Sequence, residues 1–509
     1  MPSNETILDD YEKLNPFERT LLQILSIVYE PAHTTLIVSC LRKLDLKGPR
    51  GNRPTTASVD NYLAKLETLG FLDSNRQCRL DLVEALSRQA LAEGCFHRYA
   101  AVIRKEAPLS YYYGKWTTRC WRAIRELRIG IYLQDLGLID HSLQFLDGQC
   151  REMLTPHPPA VQVVTCPFDR SWFRSLAPSL QFFLLNYILR YAQRRLLNFP
   201  EVLAYLEDDT EFSHLDDDER VPFHRLLLTQ YLLQGRLEEA GLLLEQQSDA
   251  FQATGFAGSI AFLAGRYHDA RALFQHDLEH LATISGRRDI AFFGIPGLFH
   301  VLALLARQTQ SGLEQAFEQI TTALTRFENS EESETYAILA SFLESQLHRS
   351  GQGSVIVLPA SGPLPSLTVL FTGLAQFWLT AVLEPEVETE ARQLFEQAEQ
   401  QGYRFFSLCL ADLLARLPQP ESGAYQDTVT TLSTTTGMKP LVDLIEPEEA
   451  WKRSLQALIS ISSTAVQEYV DQDTRLTWLV EYHEGGLTVR PREQKRTNDG
   501  QWSKGRPIS

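Results

Sequence analysis

The sequence predicts a mainly α-helical protein with a short β-rich segment at its C-terminal end. Three observations lead to this fold class. Apolar residues recur at helical spacing from about residue 93 to residue 445, interrupted only by short polar turns. The 509 residues are 44% hydrophobic and 22% charged, which is typical of a globular chain long enough for several units. Beyond residue 475 the apolar residues alternate instead, as they do on strands.

Charge and cysteine content narrow the function classes. The net charge of −16 excludes a protein that coats nucleic acid with its whole surface, so any such contact needs a local basic patch. The seven cysteines are scattered, odd in number and never in a CxxC pair, which predicts reduced thiols, a cytoplasmic location and no zinc site. The apolar stretch 367–383 falls short of the ~20 residues of a membrane span, so we expect no membrane contact.

The first ninety or so residues predict three helices and a hairpin. Asn15 fits an N-cap, and Pro16 takes the first helical position. A second run with helical spacing ends at Gly48. After the turn-rich "PRGNRP", the third helix directs a set of apolar residues inward: Val59, Tyr62, Leu63, Leu66 and Leu69. The polar turn 73–77 then separates two short apolar pairs, as in a hairpin.

Three helices followed by a hairpin resemble a winged helix over roughly residues 14–90, within a predicted domain of residues 1–92. In that fold the third helix usually enters the DNA major groove, and the hairpin is the wing. The resemblance implies phosphate or base contacts from Arg50 and Arg53 before the helix, Asn61 and Lys65 on it, and Arg76 and Arg79 on the wing. The alternative is a protein-docking or scaffold module, since Asp60 and Glu67 lie on the same helix.

Three stretches of the middle region share one local pattern. Small residues stand five apart in each: Gly137 and Ser142, Gly235 and Ala240, Gly265 and Ala270. The first belongs to a turn between two helices, and the second lets the following helix pack closely. The pattern resembles a tetratricopeptide repeat and implies an α-solenoid whose surface binds a protein or peptide. We expect repeats over 93–350 and 367–470, separated by a flexible Gly/Pro/Ser-rich break at 351–366.

A second group of cations lies between residues 98 and 128, where aromatic residues are interleaved. Four arginines recur there at every third residue: Arg119, Arg122, Arg125 and Arg128. Such a group could follow a phosphate backbone while the aromatic rings stack on bases, of DNA or RNA. The alternative, which the helical spacing favours, is a solvated helix face whose aromatic residues belong to the core.

Motifs for nucleotide, metal or nucleophile chemistry are absent from the sequence. There is no GxxxxGK[ST] loop, no GxGxxG, no GxSxG and no HExxH. His276 and His280 stand four apart on one predicted helix, but a metal site needs further ligands. The sequence therefore predicts no catalytic residue, no metal and no cofactor in this chain.

The C-terminal segment 471–509 changes both period and charge. Apolar residues from Leu476 to Tyr482 alternate as on a strand, and Gly485 and Asp499 mark tight turns. The stretch "PREQKRTNDGQWSKGR" at 491–506 is similar to one that bacterial Swi/Snf-type helicases of the DEAD/DEAH superfamily carry before their ATPase lobes. The residues that carry the resemblance include Arg492, Gln494, Lys495, Trp502, Lys504 and Arg506.

This resemblance implies that the chain is the non-catalytic N-terminal regulatory and substrate-recruiting region of an ATP-dependent helicase or nucleic-acid translocase. ATP and magnesium would then belong to the ATPase lobes of the full-length parent, and we expect the β-rich segment to be truncated here. Two alternatives stay open. One is a stand-alone regulator of the winged-helix and tetratricopeptide type, and the other is a protein-interaction scaffold without nucleic acid.

Overall fold

A computed structural model gives the fold of the chain. It describes residues 11–31, 33–109, 116–150, 158–247, 250–287, 290–326, 332–347, 365–418 and 421–445, and the backbone of 466–470, 476–483, 486–493, 495–496 and 502–503. The prediction of a mainly α-helical fold is confirmed. The chain divides into two compact units, one of residues up to 191 with 199–223 and one of 192–198 with 224 onward. Residue 92 thus falls inside the first unit, and the predicted break at 351–366 lies almost wholly outside the described residues.

Helices α1 to α11 belong wholly or mainly to the first unit. They are α1 (Pro16–Val28), α2 (Thr34–Lys43), α3 (Thr56–Thr68), α4 (Leu80–Ala92), α5 (Phe96–Glu106), α6 (Trp116–Leu133), α7 (Leu136–Gln149), α8 (Pro159–Thr165), α9 (Arg170–Arg174), α10 (Pro178–Arg195) and α11 (Pro200–Leu206). A short 3-10 helix, Asp209–Phe212, follows α11.

Helix α1 lies at the centre of the first unit. Asn15 and Glu18 cap it through a reciprocal pair of hydrogen bonds of 3.0 and 3.2 Å, and Pro16 is its first residue, as the sequence predicts. From residue 21 to residue 28 every side chain is buried, including the polar Ser26, so the helix lacks the single apolar face of a surface helix. A helix buried on all sides needs several neighbours, and α4, α5 and α6 pack against it.

The segment after α3 forms a shorter hairpin than the sequence predicts. A single antiparallel bridge joins Leu72 to Cys78, and the Asp73 carboxylate closes the turn by accepting two backbone N–H groups. Leu69, which the helical pattern places inward, is 41% exposed because α3 already ends at Thr68. The winged-helix resemblance stays a prediction.

Two of the seven cysteines are joined in the first unit. Cys120 on α6 and Cys150 directly after α7 form a disulfide, and both residues are fully buried. The prediction that every thiol is reduced is therefore wrong for this pair. The sequence does not predict this disulfide, because the two cysteines are 30 residues apart and meet only through the packing of α6 against α7.

Helix α12 (Asp217–Leu233) leads into the second unit, which continues as a series of helices. They are α13 (Leu237–Gln246), α14 (Phe256–Leu263), α15 (Tyr267–Ser285), α16 (Gly294–Leu305), α17 (Gln310–Arg326), α18 (Ser333–Leu347), α19 (Ser366–Thr380), α20 (Pro385–Gln401), α21 (Arg404–Ala415) and α22 (Ser422–Thr436). Each packs mainly against its neighbours in the chain, which is consistent with an α-solenoid.

Tight turns join α12 to α13 and α14 to α15. They contain Gly235 and Gly265, whose backbones are left-handed with φ of +70° and +77°. Only glycine adopts this conformation without strain, so the glycines fix the two turns where the sequence predicts them. Ala240 and Ala270 on the following helices are fully buried, as expected of small residues at a close helix contact.

After α22 the chain crosses the second unit as a non-helical segment, residues 437–445, which we call the strap. Its regular structure is limited to one 3-10 turn, Val442–Leu444. Five of its side chains are buried: Met438, Leu441, Val442, Leu444 and Ile445. The strap is therefore part of the core of this unit rather than a surface loop.

The backbone of the C-terminal segment forms two small antiparallel sheets. Strands β1 (Val466–Val470), β2 (Leu476–His483) and β3 (Gly486–Glu493) pair in that order, and β4 (Lys495–Arg496) pairs with β5 (Trp502–Ser503). Strand β2 occupies the stretch with alternating apolar residues. Strand β1 lies within 367–470, where helical repeats were expected. Among the described helices, none is both long and apolar enough to cross a bilayer, and α19 accounts for most of the apolar stretch 367–383.

Candidate nucleic-acid interface

Helix α3 presents a polar face at the positions that the sequence predicts. Val59, Leu63 and Leu66 are buried, whereas Asn61 and Lys65 are exposed. A capping box stabilises the start of the helix, because Thr55 and Ser58 exchange hydrogen bonds between side chain and backbone. Asn61 is thus in a position to meet a base edge or another protein.

The predicted cations of α3 and the wing are each paired with a carboxylate. They form three ion pairs: Lys65 with Glu18 (2.6 Å), Arg76 with Asp60 (2.8 Å) and Arg79 with Asp81 (3.0 Å). A hydrogen bond from Thr34, and then the contact with Arg76, hold the pKa of Asp60 below its usual value. A phosphate group would have to compete with these carboxylates, so this surface is weaker for nucleic acid than its count of cations suggests.

The loop between α2 and α3 carries positive charge without such compensation. Lys47, Arg50 and Arg53 are exposed, and within the residues that the structure describes no ion pair involves them. A hydrogen bond of 2.9 Å from the Gly48 amide to the Asn52 carbonyl closes the loop. The loop therefore holds three solvated cations on a short, closed turn directly before α3.

Helix α6 does not carry the exposed stripe of arginines that the sequence predicts. Arg125 and Arg128 are 0% and 2% exposed, and Arg122 lies 3.1 Å from the buried carboxylate of Glu30. Arg119 is half-buried. A buried guanidinium is out of reach of a phosphate in solvent, so the structure overturns the placement of Arg125 and Arg128 on either a nucleic-acid surface or a solvated face.

Arg128 is instead the centre of a buried polar network. Its Nε and Nη2 donate to the Glu84 carboxylate at 2.8 and 3.0 Å, and its Nη1 donates to the Ser26 carbonyl at 2.9 Å. The Tyr132 hydroxyl donates to the same carboxylate at 2.8 Å, and the guanidinium lies 4.4 Å from the centre of the Tyr29 ring. Burial alone would lower the pKa of Arg128, but the Glu84 charge raises it overall. The network joins α1, α4 and α6 and has a structural role.

The tail residues that carry the helicase resemblance are only partly described. The backbones of Arg492, Lys495 and Trp502 belong to β3, β4 and β5. Gln494, Lys504 and Arg506 lie outside the described residues. The role of all six side chains stays a prediction.

Within the described part of the chain, no three His, Cys, Asp or Glu side chains form a group suited to a metal ion. His276 lies 3.5 Å from the Asp277 carboxylate on its own helix, α15, which also carries His280. That contact is of a kind common on helix surfaces and does not make a binding site.

A perturbed carboxyl group lies where the strap meets α21. Burial raises the pKa of Asp412 to about 6, although Arg416 opposes this rise. Arg416 also donates to both carboxylate oxygens of Asp443, on the strap, at 2.8 and 2.9 Å. The sequence did not predict this cluster. The signal that could have found it is the apolar run after Gly437, which is too short for another helix yet too apolar for a solvated loop.

No family model matches this sequence, and comparisons with curated proteins and with solved structures find no similar protein either. The function of the chain is therefore inferred from its own residues and contacts, and from the resemblance of residues 491–506.

Proposed function

We propose that this chain is the non-catalytic regulatory and substrate-recruiting region of an ATP-dependent helicase or nucleic-acid translocase. Its first unit, starting with a winged-helix-like module, contacts nucleic acid. Its second unit, built from tetratricopeptide-like helix pairs, binds protein. The tail resemblance supports the class of the parent enzyme, in whose ATPase lobes ATP and magnesium act. The proposal places the protein in the cytoplasm, where helicases of this kind meet their substrates.

The observation that carries the nucleic-acid part is the loop between α2 and α3. Arg50 and Arg53 are exposed cations outside any described ion pair, whereas Lys65, Arg76 and Arg79 have carboxylate partners. Solvated cations release counterions when they meet phosphates, and this release drives association. The loop attracts phosphate groups locally, whereas the chain as a whole, with a net charge of −16, repels nucleic acid. We therefore expect weak binding that is very sensitive to salt.

A fluorescence-anisotropy titration of the full chain tests this part, with labelled duplex DNA, single-stranded DNA and RNA at several salt concentrations. The variant Arg50→Gln/Arg53→Gln should weaken binding and reduce the slope of log K against log salt by about two, since each lost phosphate contact removes roughly one. The control Arg287→Gln/Arg307→Gln removes two exposed charges from the second unit and should bind like the wild type. Equal affinities for the loop variant and the control would refute the interface.

The ion pairs of α3 and the wing favour a second candidate, a protein-interaction scaffold or stand-alone regulator. A surface whose cations are already paired with carboxylates suits a polar protein interface better than a phosphate backbone. Complete absence of nucleic-acid binding at low salt would select the scaffold. The gene itself separates the helicase region from the stand-alone regulator, because the first requires ATPase lobes encoded in frame after the codon for residue 509.

A further inference from the structure

The strap is held by the ends of helices in the way that a bound peptide is held. The Lys439 amide donates to the Leu263 carbonyl at the end of α14, at 2.8 Å. The Trp378 indole N–H of α19 donates to the Val442 carbonyl at 3.0 Å. The Gln308 side chain, just after α16, donates to the Leu444 carbonyl at 3.1 Å. These polar groups of the strap backbone therefore find their partners on the surrounding helices, and not within the strap.

The two glycine turns leave room for the strap. A methyl carbon on Gly265 would lie 2.5 Å from Lys439 Cγ, and one on Gly235 would lie 2.7 Å from Met438 Cε. Such distances are too short for carbon atoms in contact. The turns that join α12 to α13 and α14 to α15 are thus shaped both by their left-handed backbones and by the segment that covers them.

An ion pair between Asp443 and Arg416 positions the C-terminal part of the strap. Asp443 is the exposed acid of the strap, and Arg416 at the end of α21 holds both of its oxygens. Both contacts come from one nitrogen, Nη2, so the ion pair draws the acid of the strap to the end of α21 without the two-nitrogen geometry of a fork-shaped arginine–carboxylate pair. The buried apolar side chains supply contact area, and this pair specifies where the acidic position falls.

We propose that the surface beneath the strap is a peptide-binding groove and that the strap is its resident ligand. The partner is a short segment of another protein with apolar residues at the spacing of Met438, Leu441 and Val442, followed by an acid for Arg416. This inference deepens the proposed function, since it rests on the second unit being the protein-binding part. A tethered ligand competes at an effective concentration in the millimolar range, so a partner binds only when the strap is weakened or the partner is abundant.

A pair of glycine variants of the full chain tests the groove. Gly265→Ala strains a left-handed turn and also collides with the strap. The control Gly286→Ala strains a left-handed position where no atom of the described residues lies within 4 Å of the added methyl. The probe is a fluorescent synthetic peptide of residues 436–445 in which alanine replaces Lys439, so that it lacks the side-chain carbon that the methyl of Gly265→Ala would meet. We expect it to bind Gly265→Ala at least about tenfold more tightly than the control. Replacing Asp443 in the peptide by alanine should weaken binding by up to about fivefold, as loss of an exposed ion pair does.

Hydrogen exchange in the wild-type chain keeps the inference falsifiable if Gly265→Ala does not fold. The Lys439 amide should exchange at least about tenfold faster than the amides of α14 and α16, because a displaceable ligand opens locally while its groove stays folded. Exchange of the strap at the same rate as those helices would overturn the inference. So would a folded Gly265→Ala variant that binds the peptide no better than the control. Peptide binding and nucleic-acid binding are separate readouts, so failure of one leaves the other standing.

Discussion

Replacing Arg128 by methionine should strongly destabilise the first unit. Arg128 and Glu84 are 2% exposed each, and the guanidinium donates to both oxygens of Glu84 and to the Ser26 carbonyl. Methionine fills much of the same volume but donates no hydrogen bond. The Glu84 carboxylate would then stay buried with the Tyr132 hydroxyl as its remaining donor among the contacts described above.

The magnitude follows from the isolated charge that the substitution leaves behind. Removing one partner of a buried ion pair typically costs about 3–5 kcal/mol, because the other charge keeps its desolvation penalty. Here the lost carbonyl contact and the lost position over the Tyr29 ring place the expected value in the upper part of that range. The double variant Glu84→Leu/Arg128→Met removes both charges, and we expect it to be more stable than the single variant.

Hydrogen exchange at the amides of α1 measures this effect, because α1 is the buried centre of the unit and exchanges only when the unit opens. The control Arg76→Met breaks an exposed pair with Asp60 in the same unit, where both side chains are more than a third exposed. It should change stability by less than about 1 kcal/mol. If Arg128→Met lowers stability no more than this control does, or if the double variant is less stable than Arg128→Met, the Arg128–Glu84 pair does not stabilise the first unit as we expect.

Three further effects on stability follow from contacts elsewhere in the chain. Because folding raises the pKa of Asp412 from 3.8 to about 6, the folded protein loses stability as the pH rises from about 4 to about 6. In urea titrations, the free energy of unfolding of the wild type minus that of Asp412→Asn should therefore fall by up to ~3 kcal/mol across that window. A difference that does not change with pH would contradict the shift. Cys120→Ser/Cys150→Ser should lower the stability of the first unit by about 3–4 kcal/mol, read from thermal unfolding, and an unchanged melting temperature would argue against the bond. Asn15→Ala should cost about 1 kcal/mol through loss of the α1 cap, and a neutral result would contradict the cap.

Local signals in the sequence were sufficient for the helices and several of their ends. The cap at Asn15 and the turns at Gly235 and Gly265 depend on the chemistry of one or two residues, and the structure has them where they were expected. The third stretch of the same pattern departs from this. Its turn falls at Gln134, which has φ of +55°, and Gly137 lies inside the next helix. Asp135 caps that helix and so decides its start.

Burial of charge is what the sequence could not reveal. Arginines at every third residue look alike whether they face water or the core, and only the position of Glu84, far away in sequence, turns Arg128 inward. The same holds for Cys120 and Cys150 and for the strap, whose partners come from distant helices. For the candidate interface, the sequence supplied the cations, but which of them have carboxylate partners depends on the packing of α1, α2 and α3.

The strap also determines how the second unit responds to mechanical force. A chain that left the stack from its last helix would pass tension to α22 alone, and the array would peel apart one helix at a time. Here Ile445 is buried, and the strap before it is anchored on α14, α16, α19 and α21. Tension applied at residue 445 therefore falls first on the contacts between the strap and these helices, so the strap should detach in one step before the helices beneath it unfold.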